Sequence, residues 1–237
     1  MSDLRVAIIA EGPTDEIIIS AALKAILTRP FVPNLIQPEP TRPQFGGGWC
    51  GVLKWCADFA ARGFPSLEED PTLSLYDLFV IQLDADVADF SYADGGVGLP
   101  QVAQQEGWEM LPCSHPCPPP EGAVNNLKPV LLSWLHIPAI GDRTVLCIPS
   151  KSSEAWLASA VYPANHGLMA GIECSLDMAG RLAQLPKGRR IKKTAREYRN
   201  HEKTVEAAWP AVRRMCTRAD AFHQEIDAVV KRLPNDQ

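Results

Sequence analysis

The sequence predicts an α/β protein, with a mostly parallel sheet flanked by helices and a helical extension at the C-terminus. Three observations carry that expectation. Short β-rich runs, LRVAIIA at 4–10 and TVLCI at 144–148, are apolar almost throughout, as in strands buried on both faces of a parallel sheet. Helical patterning follows such runs, and this alternation is the mark of a parallel sheet. The 237 residues are 46% hydrophobic and 22% charged, enough for one large core.

Taken in order, residues 4–10 form the first strand, broken by Glu11-Gly12-Pro13-Thr14-Asp15, where Gly12 lets the backbone turn sharply. From 15 to 27 the apolar residues are too dense for a surface helix and predict one packed tightly on the sheet. Residues 30–43 hold five prolines and are extended or looped, with a short strand at 32–37. Beyond Gly46-Gly47-Gly48, an amphipathic stretch at 49–62 reads as a second helix. Residues 75–83 are the clearest strand and end in Asp84-Ala85-Asp86. Residues 88–123, rich in Gly and Pro, form a long excursion. Residues 125–135 are helical, 144–148 form a further strand, and Ser152-Ser153-Glu154 opens a helix reaching Val161. Residues 173–185 are helical by pattern and 186–193 form a basic linker. The last helix starts near Pro210, since proline is tolerated in a first turn. Val212, Met215, Ala219, Phe222, Ile226, Val229 and Leu233 then make one apolar stripe that packs on the domain. The division expected is an α/β domain at 1–170 and a helical extension at 171–237 that carries the basic segment.

No apolar run approaches the roughly 18 to 20 residues that cross a bilayer, so no membrane partner is expected. Met-Ser-Asp-Leu-Arg runs directly into the first strand without a small-residue cleavage site, which argues against a secretory signal. Seven cysteines, an odd number, fit reduced thiols and a cytoplasmic location better than a disulfide framework. The net charge of −5 is mild, but residues 1–186 carry 10 Lys and Arg against 21 Asp and Glu, whereas residues 187–218 carry 11 against 3. A basic segment on an acidic body suits a polyphosphate partner; a solvated helical face is the plainer alternative.

In an open parallel sheet, ligands bind at the carboxyl ends of the strands. Two acidic clusters fall there, Glu11 with Asp15 after the first strand and Asp84 with Asp86 after the clearest one. Alternate residues leaving a strand point to one side, so Asp84 and Asp86 are placed to share a cation. Hard oxygen donors suit Mg²⁺ or Mn²⁺. Glu154 follows a strand end as well. For Asp15 and Glu154 a dipole-favoured charge at a helix start is the competing reading.

Together, Ile-Ala-Glu11-Gly-Pro-Thr-Asp15, the apolar strand ending in Asp84-Ala85-Asp86, and Ile148-Pro149 followed by Glu154-Ala155-Trp156-Leu157 resemble the Toprim domain. They are most similar to its nuclease branch, which includes the overcoming-lysogenization-defect nucleases and related small bacterial proteins. The resemblance covers residues 4–160, with an 88–123 loop longer than a minimal Toprim core needs. It implies a Rossmann-like sheet and magnesium-dependent cleavage of nucleic-acid phosphodiesters with one or two ions. Glu11 would be a ligand or the proton-transfer group, Asp84 and Asp86 the metal ligands, and Asp15 and Glu154 accessory ligands. Such proteins resemble effectors of bacterial defence or toxin systems. The chain has no phosphate loop of its own, so ATP-driven control would come from a separate ATPase subunit.

Phosphoryl transfer also needs a cation for the developing charge. Lys151, beside the proposed site, is the first candidate; Lys192, Lys193 and Arg196 are the second. Arg189, Arg190, Lys192, Lys193 and Arg196 are the expected contacts to nucleic acid, DNA before RNA. Two other readings stand beside the nuclease: a non-catalytic Toprim-fold binding or regulatory subunit, and a phosphatase using Asp84 and Asp86. A homo-oligomer is compatible with the sequence.

Several groupings carry less. Cys113-Ser-His115-Pro-Cys117 lacks the second ligand pair of a structural zinc site. Cys50 and Cys56 read as core residues. Trp49 and Trp55 read as core before groove lining, and Asp89 reads as a solvated turn residue. His136, His166, His201 and His223 show no spacing that supports a hydrolytic triad.

Overall fold

The computed structural model describes residues 3–39, 41 and 44–233. Four strands, β1 (Leu4–Ile9), β2 (Phe31–Gln37), β3 (Leu78–Gln82) and β4 (Thr144–Cys147), form one parallel sheet in the order β2-β1-β3-β4. Eight α-helices accompany them among the described residues: α1 (Pro13–Ile26), α2 (Gly48–Ala60), α3 (Leu99–Glu106), α4 (Glu121–Leu135), α5 (Glu154–Val161), α6 (Met178–Ala183), α7 (Ala195–Met215) and α8 (Thr217–Val230). The result is the predicted α/β architecture, Rossmann-like, with a helical C-terminal part. No helix among the described residues is long and apolar enough to cross a membrane.

Strand alternation sends successive side chains to opposite faces, and both faces are covered. Val6, Ile8, Leu78, Val80, Val145 and Cys147 face a core built with α1, α5, α7 and α8. Ala7, Ile9, Phe79, Ile81 and Leu146 face a second core built with α2 and α4. This two-sided burial is why the strands read as continuous apolar runs. The first connection leads from β1 to β2 on one side, and the later ones lead to β3 and β4 on the other. The carboxyl ends of β1 and β3 therefore flank the point where strand order reverses, the place where open α/β sheets bind ligands.

The C-terminal helices differ from the expectation. The basic stretch is not followed by a linker up to Pro210: α7 begins at Ala195, capped by Thr194, and runs through Pro210 to Met215. The apolar stripe is broken at Cys216, whose extended backbone separates α7 from α8. Tyr198, Val205, Trp209 and Val212 pack in the same core as Val6 and Ile8. The segment beyond residue 170 is thus a covering layer of the sheet as much as an extension.

The excursion at 88–123 is not wholly irregular, since it contains α3. Its far end is tied by a disulfide between Cys117 and Cys174. This corrects the expectation that all seven cysteines are thiols, because the chain brings together two residues 57 positions apart that nothing local connects. It also removes Cys117 from any zinc site with His115 and Cys113. Cys56 is buried in the core and Cys50 partly so. Trp49 stacks on Trp134, and both it and Trp55 are core residues. The proline-rich stretch contains β2 as expected, while Pro40, Arg42 and Pro43 lie outside the described residues.

Candidate active site

The carboxyl ends of β1, β3 and β4 bring Glu11, Asp15, Asp84, Asp86 and Glu154 to one place. Glu11 leaves β1, and its Oε1 accepts the backbone N–H of Asp84 at 2.8 Å. The N–H of Glu11 donates to Gln82 Oε1 at 2.9 Å, and Gln82 Nε2 donates to Asp84 Oδ1 at 2.8 Å. Gln82, fully buried at the last position of β3, ties the two acidic motifs together. Ser153 extends the link to β4, its N–H donating to Asp84 Oδ1 at 3.2 Å and its hydroxyl to Asp15 Oδ1 at 2.6 Å.

Asp15 and Glu154 are only 2% and 1% exposed, so neither is a solvated charge at a helix start. Glu154 Oε1 accepts the Tyr198 hydroxyl at 2.9 Å and pairs with Lys193 Nζ at 2.9 Å. Its Oε2 is buried without a partner, and an orphaned carboxylate oxygen is costly unless something satisfies it.

The Asp84-Ala85-Asp86 geometry departs from strand alternation. β3 ends at Gln82, and a 3₁₀ turn covers Ala85–Asp89. The N–H groups of Ala85 and Asp86 donate to the carbonyls of Pro149 and Lys151. Asp84 is buried towards Ser153, and Asp86 is half-buried beside Lys151. Among the described residues no three His, Cys, Asp or Glu side chains are gathered as a ready cation cage.

Gly12 has extended backbone that any residue adopts, so it is not needed for a turn. A Cβ there would stand 3.2 Å from Asp15 Oδ2, so its small size gives that carboxylate room. The Gly46–Gly48 run is held on the same motif, Gly48 N–H donating to the Glu11 carbonyl at 2.7 Å.

Burial away from water, with other acids close by, raises the affinity of Glu11, Asp15, Asp84 and Asp86 for protons. Burial, with the charge of Asp15 next, pushes Glu11 up to about 8. Burial and Glu154 push Asp15 up to about 6. Burial does the same to Asp86, to about 6, against the favourable charge of Lys151. Asp84 is raised well above the usual range by burial and by its four acidic neighbours. Lys193 is raised as well: burial opposes its charge, but Glu154, Asp15 and Asp84 outweigh that and hold it protonated.

The structure thus draws Lys193 from the basic segment into the acidic cluster. Lys151, the first candidate, is also near, but its Nζ is paired with Asp89 at 2.6 Å; Asp89 is an exposed turn residue, as expected, and also this partner. Arg189, Arg190, Lys192 and Arg196 are exposed. Gln82, Ser153 and Tyr198 carry no motif and were outside the expectation; Ser153 looks like an ordinary helix cap in the sequence. Compared with protein-family models, with curated proteins and with solved structures, the chain gives no match.

Proposed function

We propose that the chain is a metal-dependent nuclease that hydrolyses nucleic-acid phosphodiesters at this acidic centre. The observation that carries the reading is the convergence of five carboxylates and Lys193 at the sheet's switch point, where burial first and mutual repulsion next raise the proton affinities of Glu11, Asp15, Asp84 and Asp86. A purely structural cluster gains nothing from such repulsion, whereas a divalent cation relieves it. The donor set is hard oxygen only, and Glu154 Oε2 is left unsatisfied. This fits Mg²⁺ or Mn²⁺, which take one or two carboxylates and keep several waters, so a closed cage is not required.

Bound there, one or two such ions would polarise the phosphoryl oxygens and lower the pKa of an attacking water. Asp84 and Asp86 would hold them, with Asp15 and Glu154 as accessory ligands. Glu11, whose affinity for protons burial and Asp15 raise, would be the proton-transfer group, held against the Asp84 backbone at the edge of the cluster. Lys193, steered by Glu154, faces the charge that grows on the phosphoryl oxygens; Lys151 supports Asp86. The Toprim resemblance points to the same chemistry. A phosphatase using Asp84 and Asp86 alone leaves Glu11, Asp15 and Glu154 without a role. Nucleic acid, and a separate ATPase as controlling subunit, are the partners this reading calls for.

The test is cleavage of supercoiled plasmid, single-stranded DNA and RNA with Mg²⁺, Mn²⁺ or EDTA. Cleavage that needs metal and is lost in Glu11→Ala and Asp84→Ala is expected. A folded wild type that cleaves none of these with either metal, alone or with an ATPase partner, overturns the catalytic reading.

A further inference from the structure

We propose that a cavity beside the acidic centre receives one unstacked nucleotide of a single-stranded nucleic acid. The proposal rests on the nuclease reading and names the form of its substrate. The cavity, of about 610 Å³, lies between the C-terminal end of α5 and the first turns of α7, bordered by the basic turn at 188–190.

Its lining is of two kinds. One wall is aromatic: the half-buried ring of His166 lies against Tyr162, a core residue only 8% exposed, with ring centroids 4.9 Å apart. The Tyr162 hydroxyl donates to the carbonyl of Arg189 and fixes the basic turn to that wall. Leu168 N–H donates to His166 Nδ1, which places the proton of the neutral ring on Nε2. The second kind is polar and uncommitted. The side chains of Arg189, Arg190, Asn200 and His201 line the space without a hydrogen bond or ion pair among the described residues.

Arginines for phosphate, an aromatic wall for a base and an amide able to both donate and accept are the elements of single-strand recognition. A bare anion would leave the aromatic wall unused, and a stacked base pair cannot enter a pocket. The position suits the same strand. Tyr162 stands eight residues beyond Glu154, about 12 Å along α5, and Arg190 is three residues from Lys193. A strand held in the cavity would therefore reach the acidic centre within about two to four nucleotides, at ~3.4 Å per charge along one strand.

Fluorescence anisotropy of a labelled single-stranded oligonucleotide with the full chain in EDTA reads binding without cleavage. The single strand should bind about tenfold or more tightly than its duplex. An Arg189→Ala/Arg190→Ala protein, altered only at exposed positions and melting like the wild type, should bind the single strand about tenfold more weakly. Its slope of log affinity against log salt should be shallower by about 1.4, at ~0.7 per lost phosphate contact. His166→Ala should weaken binding with the slope unchanged. Equal affinity of the double variant and the wild type overturns the proposal, and so does equal affinity for duplex. Competition by a nucleoside monophosphate or inorganic phosphate as strong as by the oligonucleotide also overturns it, reducing the cavity to a small-anion site. Because this binding needs neither metal nor Glu11, its failure and the failure of metal-dependent cleavage are separate results.

Discussion

Ser153 stands at the N-cap of α5, yet its hydroxyl goes to Asp15 and not to the helix. A hydroxyl cap is worth about 1 kcal/mol, so the local rule is given up to join the ends of β1, β3 and β4. Ser153→Ala should cost about 1–3 kcal/mol, the range for stripping a buried carboxylate of a partner, measured by urea unfolding. Lys193→Met should leave the fold intact and lower cleavage about 10²- to 10³-fold, the usual loss for one electrostatic stabiliser of a transition state; single-turnover rates check it. Glu11 supplies a pH prediction. Its folded pKa of about 8 lies above the ordinary 4.5, so between these values the folded state holds a proton that the unfolded chain has released. The contribution of Glu11 to stability without metal should therefore fall as pH rises from about 4.5 to 8 and level off above. His201 and His223, lowered by burial, act in the opposite sense, but only below about 6.5. Asp84 and the buried thiols act in the same sense at higher pH, so urea midpoints in EDTA at pH 7 and 8.5 are compared between the wild type and Glu11→Gln, and an equal fall in both proteins would contradict the placement of Glu11.

At the scale of elements, what could be read depended on how local the determinants were. β1, β3 and β4 announced themselves as apolar runs because they are buried on both faces, and the acidic residues after them followed from strand ends. α7 did not, because its buried positions, Tyr198, Val205, Trp209 and Val212, are thinly spaced among charged residues, and Pro210 looked like a beginning. The same basic stretch that hid the helix contains Lys193, two residues before α7, and Tyr198 within it, whose roles arise only when α7 packs on α1 and α5. Trp209 is 1% exposed and meets Trp156 edge-on at 5.4 Å. Trp209→Ala should cost about 3–5 kcal/mol, as large-to-small core changes do. A fragment of residues 1–170 should lack a cooperative unfolding transition, since one sheet face would lose α7 and α8; near-ultraviolet circular dichroism during a melt checks this.

For the whole molecule, the order β2-β1-β3-β4 explains why motifs 73 positions apart meet: strand order reverses at β1, and both Glu11 and Asp84 leave the sheet there. The Cys117–Cys174 disulfide joins the long excursion to the turn before α6. Cys117→Ser/Cys174→Ser should lose about 2–4 kcal/mol, seen as a melting temperature several degrees lower. On the proposed function, the acidic centre binds a divalent cation in order to act. Calorimetric titration of Mn²⁺ at pH 7, in two buffers of different ionisation enthalpy, reads both that binding and the protons it releases. The raised proton affinities of Glu11 and Asp84 predict binding with release of protons to the buffer, and loss of binding in Asp84→Asn. Absence of Mn²⁺ binding by the folded protein, or binding that persists unchanged in Asp84→Asn, would contradict the account.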